Sequence, residues 1–275
     1  MRVDDTLEIL LMIGANLVRL SAFVIAATSL LGSEALAVQS FIHVPGIAGE
    51  ESTPGYPGVM TVESLTITPT NLTVIKAIDS ASPAIFTAAA LGTNLGTVET
   101  LLYNDAPAGP PDALLPFFDT LVSSYQGNVT TEEITFAADN PLELYLEVPG
   151  IPGVSDTPGH PSVMRINSFT LTGSEFTIIK AEDAASDDLF LATANGVFFN
   201  EARLLLYDAL PPGSEPDAVV EFQDLLITSM QSLPNRLEQV TFSFDTLSQP
   251  VVPEPSTAAL ALGGLAIMGA WRRQR

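Results

Sequence analysis

The feature that most limits what this chain can fold into is a long match with itself. The segment FIHVPGIAGEESTPGYPGVMTVESLTITPTNLTVIKAIDSASPAIFTAAALG, from Phe41, lies over YLEVPGIPGVSDTPGHPSVMRINSFTLTGSEFTIIKAEDAASDDLFLATANG, from Tyr145, without a gap. Carried on to Pro107 and Pro211, more than two in five positions are identical. Val44-Pro45-Gly46-Ile47 meets Val148-Pro149-Gly150-Ile151, and Lys76-Ala77 meets Lys180-Ala181. Past a one-residue insertion, PDALLPFFDTLVSSYQ pairs with PDAVVEFQDLLITSMQ, and Thr135-Phe136 with Thr241-Phe242. A repeat of about 105 residues is too long for a solenoid unit and has the size of a small domain. Two homologous β domains are therefore expected, over 38–140 and 141–249.

Each repeat reads alike. A short strand (Phe41–Val44; Tyr145–Val148) enters a Pro/Gly-rich loop. Two alternating strands rich in Thr, Val and Ile follow, Met60–Thr68 with Leu72–Ala77 and Met164–Thr172 with Phe176–Ala181. One short helix is predicted over Ser82–Leu91 and over Ser186–Asn195. Asp79/Ser82 and Asp183/Ser186 are available as caps, and Gly92 and Gly196 as stops. Further strands are expected at Val98–Tyr103, Leu114–Ser124 and Glu133–Ala137, and at Ala202–Tyr207, Val219–Ser229 and Gln239–Phe244. One helix among about six strands implies a mainly all-β fold, a small barrel or sandwich with a helix on one side.

Charge narrows the function. Residues 38–252 hold five basic residues against 27 acidic ones, a net −22. Such a surface repels nucleic acid. No cysteine is present, which removes disulfides and thiolate chemistry. The two histidines, His43 and His160, fall at non-equivalent places in the repeat and have no metal-ligand spacing. His43 reads as a surface residue and His160 as part of a turn. Neither a G-x-S-x-G elbow nor a phosphate loop occurs, so no enzyme activity and no cofactor are expected. The only two lysines, Lys76 and Lys180, sit at the same point of the duplication. They are candidates to pair with Asp79 and Asp183 or to form an interface with a neighbouring subunit.

The ends read as addresses. Arg19, the apolar run Leu20–Leu31 and an A-x-A site at Ala35-Leu36-Ala37 form a secretory signal over 1–37, with Met1 or Met12 as its start. At the other end Val252-Pro253-Glu254-Pro255 is followed by an apolar run, Ala258–Trp271, and then by Arg272, Arg273 and Arg275. The run is shorter than the roughly 20 residues a comfortable span needs. The arginines favour the cytoplasmic side, so a transient hold in the inner membrane is expected. Apolar helices are expected at both ends. The tripartite tail over 252–275 resembles a PEP-CTERM sorting signal. That resemblance implies processing by an exosortase near Pro253-Glu254-Pro255 and secretion, or display, by a polysaccharide-producing Gram-negative bacterium.

The repeat itself resembles the haemolysin-coregulated protein (Hcp) family, the tube protein of type VI secretion. The likeness is carried by VPGIPGVSDTPGHPSVMRINSFTL, by FTIIKAEDAASDDLFLATANG with its K-x-x-D-x-x-S step, and by EARLLLYDA. The family's six-membered rings imply a homo-oligomer, with three two-unit chains closing a pseudo-hexameric ring. The expected function is that of a secreted, non-enzymatic structural or surface protein, with exopolysaccharide as a further partner. The alternative is a monomeric extracellular module binding polysaccharide or calcium.

Overall fold

The structure, a computed structural model, describes residues 37–139, 141–157, 160–208 and 215–249. The signal residue Ala35, the sorting residues Val252, Pro253, Glu254, Pro255, Arg272, Arg273 and Arg275, and both expected apolar end helices lie outside the described residues; Ala37 is the first one inside. Among the described residues no helix is long and apolar enough to cross a membrane.

The first repeat forms β1 (Gln39–His43), β2 (Glu51–Thr53), β3 (Tyr56–Val62), β4 (Ser64–Ile67), β5 (Asn71–Ala77), α1 (Ser82–Leu91), β6 (Asn94–Tyr103), β7 (Ala113–Gly127) and β8 (Thr131–Ala138). The second gives β9 (Leu142–Glu147), β10 (Ser155–Thr157), β11 (His160–Ile166), β12 (Ser168–Thr172), β13 (Glu175–Ala181), α2 (Ala185–Asn195), β14 (Phe198–Asp208), β15 (Ala218–Leu233), β16 (Leu237–Ser243) and β17 (Thr246–Ser248). Both helices stop where glycine predicts. Gly92 and Gly196 are left-handed, and the N–H groups of Thr93 and Val197 return to Ala88 O and Ala192 O, each at 3.0 Å. The single strand expected over Met60–Thr68 is instead two. The chain turns at Glu63, and at Asn167 in the second repeat, so that β3 pairs with β1 while β4 pairs with β5.

That turn closes the sheet on itself. Pairing runs β1–β6–β7–β8–β5–β4, and the β4 chain continues into β3, which returns to β1. The second repeat closes identically through β9, β14, β15, β16, β13 and the β12/β11 strand. β7 and β15, with 15 and 16 residues, run longer than expected. Each bends at a bulge, between Val122 and Ser124 and between Ile227 and Ser229, with Asp119 and Asp224 at positive φ just before it.

The repeats meet edge to edge. β4 pairs antiparallel with β12, with Ile67 opposite Phe169, Thr66 opposite Thr170 and Leu65 opposite Leu171. Thr66 and Thr170 are equivalent in the duplication, so a local two-fold axis passes between them, and their hydroxyls bond at 2.8 Å. Most buried side chains of both repeats merge in one hydrophobic cluster, while Phe41, Val59, Leu101 and Tyr103, and likewise Tyr145, Val163, Leu205 and Tyr207, form a smaller one in each repeat. A clasp adds to the joint: the Asn104 side chain bonds both the N–H and the C=O of Leu247, each at 2.7 Å, and Gln249 N–H donates to Asp112 O at 2.6 Å. A two-fold joint is self-complementary and closes. The two repeats of one chain therefore do not occupy successive, equally oriented places of a six-membered ring.

Candidate functional site

Alternation in β5 buries Leu72, Val74 and Lys76 on one face, and in β8 it buries Glu132, Ile134 and Phe136. Lys76 stands directly opposite Glu132. A lysine and a glutamate are thus carried into the core by strand period alone. Lys76 is 0% exposed, and its three ammonium protons meet three acceptors: Ala77 O at 2.8 Å, Asp79 Oδ1 at 2.9 Å and Glu132 Oε1 at 2.7 Å. The second repeat builds the same cage. Lys180 Nζ reaches Ala181 O at 2.8 Å, Asp183 Oδ1 at 2.7 Å and Glu238 Oε1 at 2.6 Å. The lysines do pair with Asp79 and Asp183, but burial leaves them no surface to offer another subunit. The interface expectation is corrected: their charges are satisfied within the repeat.

The K-x-x-D-x-x-S step thus has a physical meaning. Asp79 accepts from Ala81 N–H at 2.9 Å and so orders the turn before α1. Ser82 accepts from Asp79 N–H at 3.0 Å and donates to Glu132 Oε1 at 2.8 Å. Asp183, Ser186 and Glu238 repeat these bonds at 3.0, 3.0 and 2.9 Å. The cage ties β5 to β8 and to the start of the helix. The two repeats differ at one place. Tyr125 donates to Glu132 Oε2 at 2.5 Å and packs edge-on against Phe86; this bond, followed by burial and the nearby Glu132 and Asp79 charges, pushes the Tyr125 phenol up to about 12. The second repeat has Met230 there.

The histidines are less unlike than their positions suggest. His43 on β1 bonds Glu99 on β6, Nδ1 to Oε2, at 3.1 Å, and lies edge-on to Tyr56 on β3. In the second repeat the three equivalent positions are Glu147, Arg203 and His160, and His160 Nδ1 bonds Glu147 Oε2 at 3.1 Å. The carboxylate has taken the place of His43 and the imidazole that of Tyr56, yet each repeat keeps one such pair on the same patch of barrel. Both pairs are part-exposed. Among the described residues no three histidine, aspartate or glutamate side chains converge as a metal ion would need. The arrangement can hold strands together.

Comparison with known families agrees with the resemblance. Residues 145–249 match the family described as Type VI secretion system effector, Hcp. The second repeat is Hcp-like. Residues 251–274 match the PEP-CTERM protein-sorting motif. Neither match indicates a catalytic family. Among solved structures, Hcp2 from Salmonella typhimurium is similar at 23% identity, over 39% of this chain and 84% of that one, with a TM-score of 0.35. A type VI secretion system effector from Yersinia pestis follows at 22%, over 37% and 82%, with 0.31. Secreted protein Hcp3 from Pseudomonas aeruginosa stands at 16%, over 39% and 89%, with 0.31. No curated protein sequence matches. The Hcp match and the sorting motif together indicate a secreted or surface protein of a Gram-negative bacterium.

Proposed function

We propose that the chain is a non-enzymatic structural protein of the cell exterior, made of two joined Hcp-like barrel domains (38–140 and 141–249) and released after exosortase cuts near Pro253-Glu254-Pro255. The observation that carries this reading is the use of ionic groups. Both lysines and both buried glutamates are internal struts, and the remaining acids give an outer surface suited to solubility rather than to a reaction. The signal over 1–37 takes the chain across the inner membrane, and the apolar run before Arg272 holds it there only until cleavage. Homo-oligomers, including ring-shaped ones, form between chains and leave the β4–β12 joint intact; exopolysaccharide is the surrounding medium. The test is intact-mass analysis of the exported protein from cells with and without an exosortase. A C-terminus at or near Pro253–Pro255 only in exosortase-positive cells supports the reading. The same full-length mass in both overturns it.

A further inference from the structure

The two lysine cages differ in what covers them. In the first repeat Tyr125 is the cover: its hydroxyl donates to Glu132 Oε2, and its ring lies edge-on to Phe86 with centroids 5.5 Å apart. In the second repeat Met230 takes that place, while Phe190 keeps the place of Phe86. A thioether has no proton to give. Glu238 is 2% exposed. Its Oε1 accepts from Lys180 and Ser186, and its Oε2 has no hydrogen-bond partner among the described residues. A buried carboxylate oxygen without a donor is costly. Here Glu238, Met230 and Phe190 line a pocket of about 420 Å³, which is the size of a small-molecule site.

We propose that this pocket binds a neutral sugar ring, one hydroxyl of which donates to Glu238 Oε2 as Tyr125 donates to Glu132 in the first repeat. The duplicate supplies the template for that contact: a ring hydroxyl on the buried carboxylate, with the ring beside a phenylalanine. The walls set the rest of the ligand. Where the first repeat has Ile78, Pro83, Gly127 and Thr130, the second has Glu182, Asp187, Ser232 and Arg236, all lining the pocket. Carboxylates accept hydrogen bonds, a guanidinium donates them and a hydroxyl does both. Such walls suit a ring with hydroxyls on several sides, whereas a phenol would lay an apolar edge against charge. A metal ion does not fit, since among the described residues no three acids converge as one would need. Lys180 already stands 2.6 Å from Glu238, so a second cation at that carboxylate is opposed and a neutral donor is not. An acidic sugar is repelled, because Glu182, Asp183, Asp187 and Glu238 outnumber Lys180 and Arg236. The inference deepens the proposed function: it rests on the reading of exopolysaccharide as the surrounding medium and gives that polymer a place to bind.

The test is titration of the isotope-labelled exported protein, with its tail cut or uncut, followed by amide NMR. The probes are the methyl glycosides of glucose, galactose and mannose, with glucuronate and p-cresol as contrasts. At least one neutral glycoside is expected to give saturable shifts centred on Ser186, Phe190, Ser232 and Glu238. Glucuronate and p-cresol are expected to bind roughly tenfold more weakly. Met230→Tyr, which restores the cover of the first repeat, is expected to raise the melting temperature and to remove the shifts. Phe190→Ala, a change at an exposed side chain, leaves the fold intact and weakens binding about threefold to tenfold. The proposal is overturned by the absence of saturable shifts with every neutral glycoside, or by tighter binding of glucuronate or p-cresol. Shifts that persist in Met230→Tyr, or an unchanged affinity in Phe190→Ala, overturn it as well. Export and exosortase cleavage are measured separately and stand or fall on their own test.

Discussion

Replacing a caged lysine by methionine tests the energetic reading of the duplicated strut most directly. Lys76→Met and Lys180→Met keep nearly the same volume, so cavity and strain costs stay small, and the loss is that of leaving a buried carboxylate without its cation. Removing one partner of a buried pair costs about 3–5 kcal/mol. The two sites are not equal. Glu132 retains hydroxyl donors from Ser82 and Tyr125, whereas Glu238 retains Ser186 and has Met230 where the tyrosine would be. A hydrogen bond to a charged group is worth about 1.5–3 kcal/mol, so Lys180→Met is expected at the upper end of the range and Lys76→Met at the lower. In urea, with a slope of about 2 kcal/mol/M, the midpoints fall by about 1.5 M for Lys76→Met and about 2.5 M for Lys180→Met. Adding Glu238→Leu to Lys180→Met restores most of the loss, because it removes the stranded charge and orphans no tyrosine. Losses below about 1 kcal/mol at both sites, or a reversed order, would refute the reasoning.

Three further outcomes are expected. Burial, with Asp217 and Asp119 adding to it, raises the Asp208 carboxyl above its ordinary value; its favourable contribution is full when protonated, below the ordinary carboxylate range, and is lost as pH rises through the raised value. Asp208→Asn, which copies Asn104 of the first repeat, therefore raises the melting temperature at neutral pH, and scanning fluorimetry shows the gain shrinking below about pH 4. Asn104→Ala removes both bonds to Leu247; a loss of about 1–3 kcal/mol is expected, with faster hydrogen exchange at Leu247 and Gln249. A side chain on Gly153 meets the backbone of Val163, so Gly153→Ala shifts that hairpin and costs about 1–3 kcal/mol by chemical denaturation.

The helices, their glycine stops and most strands were legible in the sequence because each rests on a local signal: a period of two or a left-handed glycine. Glu132 and Glu238 were legible in part. In TEEITFAA the glutamate at 132 keeps step with Ile134 and Phe136, and LTVIKA puts Lys76 in step with Leu72 and Val74. Both phases assign a charge to the core, but only strand pairing shows that the two charges face each other. The exchange of His43–Glu99 for Glu147–His160 was hidden because position-by-position comparison records it as divergence, although the interaction survives. The turn at Glu63 had a local mark that was passed over: the apolar alternation of Met60 and Val62 shifts phase by one residue there and resumes at Leu65 and Ile67. The β4–β12 joint has no local signal, since edge pairing between distant segments depends on which strand edges remain open.

On the outer face of the sheet, threonines stand in line across six strands: Thr135, Thr73, Thr66, Thr170, Thr177 and Thr241. Hydroxyl bonds join Thr73 to Thr135 at 3.1 Å and Thr177 to Thr241 at 3.0 Å, on either side of the central pair. The line is its own mirror, and at its centre a residue meets its duplicate. Ser64, Thr66 and Thr68 are matched by Ser168, Thr170 and Thr172, while the intervening Leu65 and Ile67 have drifted to Phe169 and Leu171. Where two halves of a gene touch at the same residue, neither can change without altering the other's surroundings. The seam thus keeps, within one polypeptide, the form of an encounter between two identical molecules.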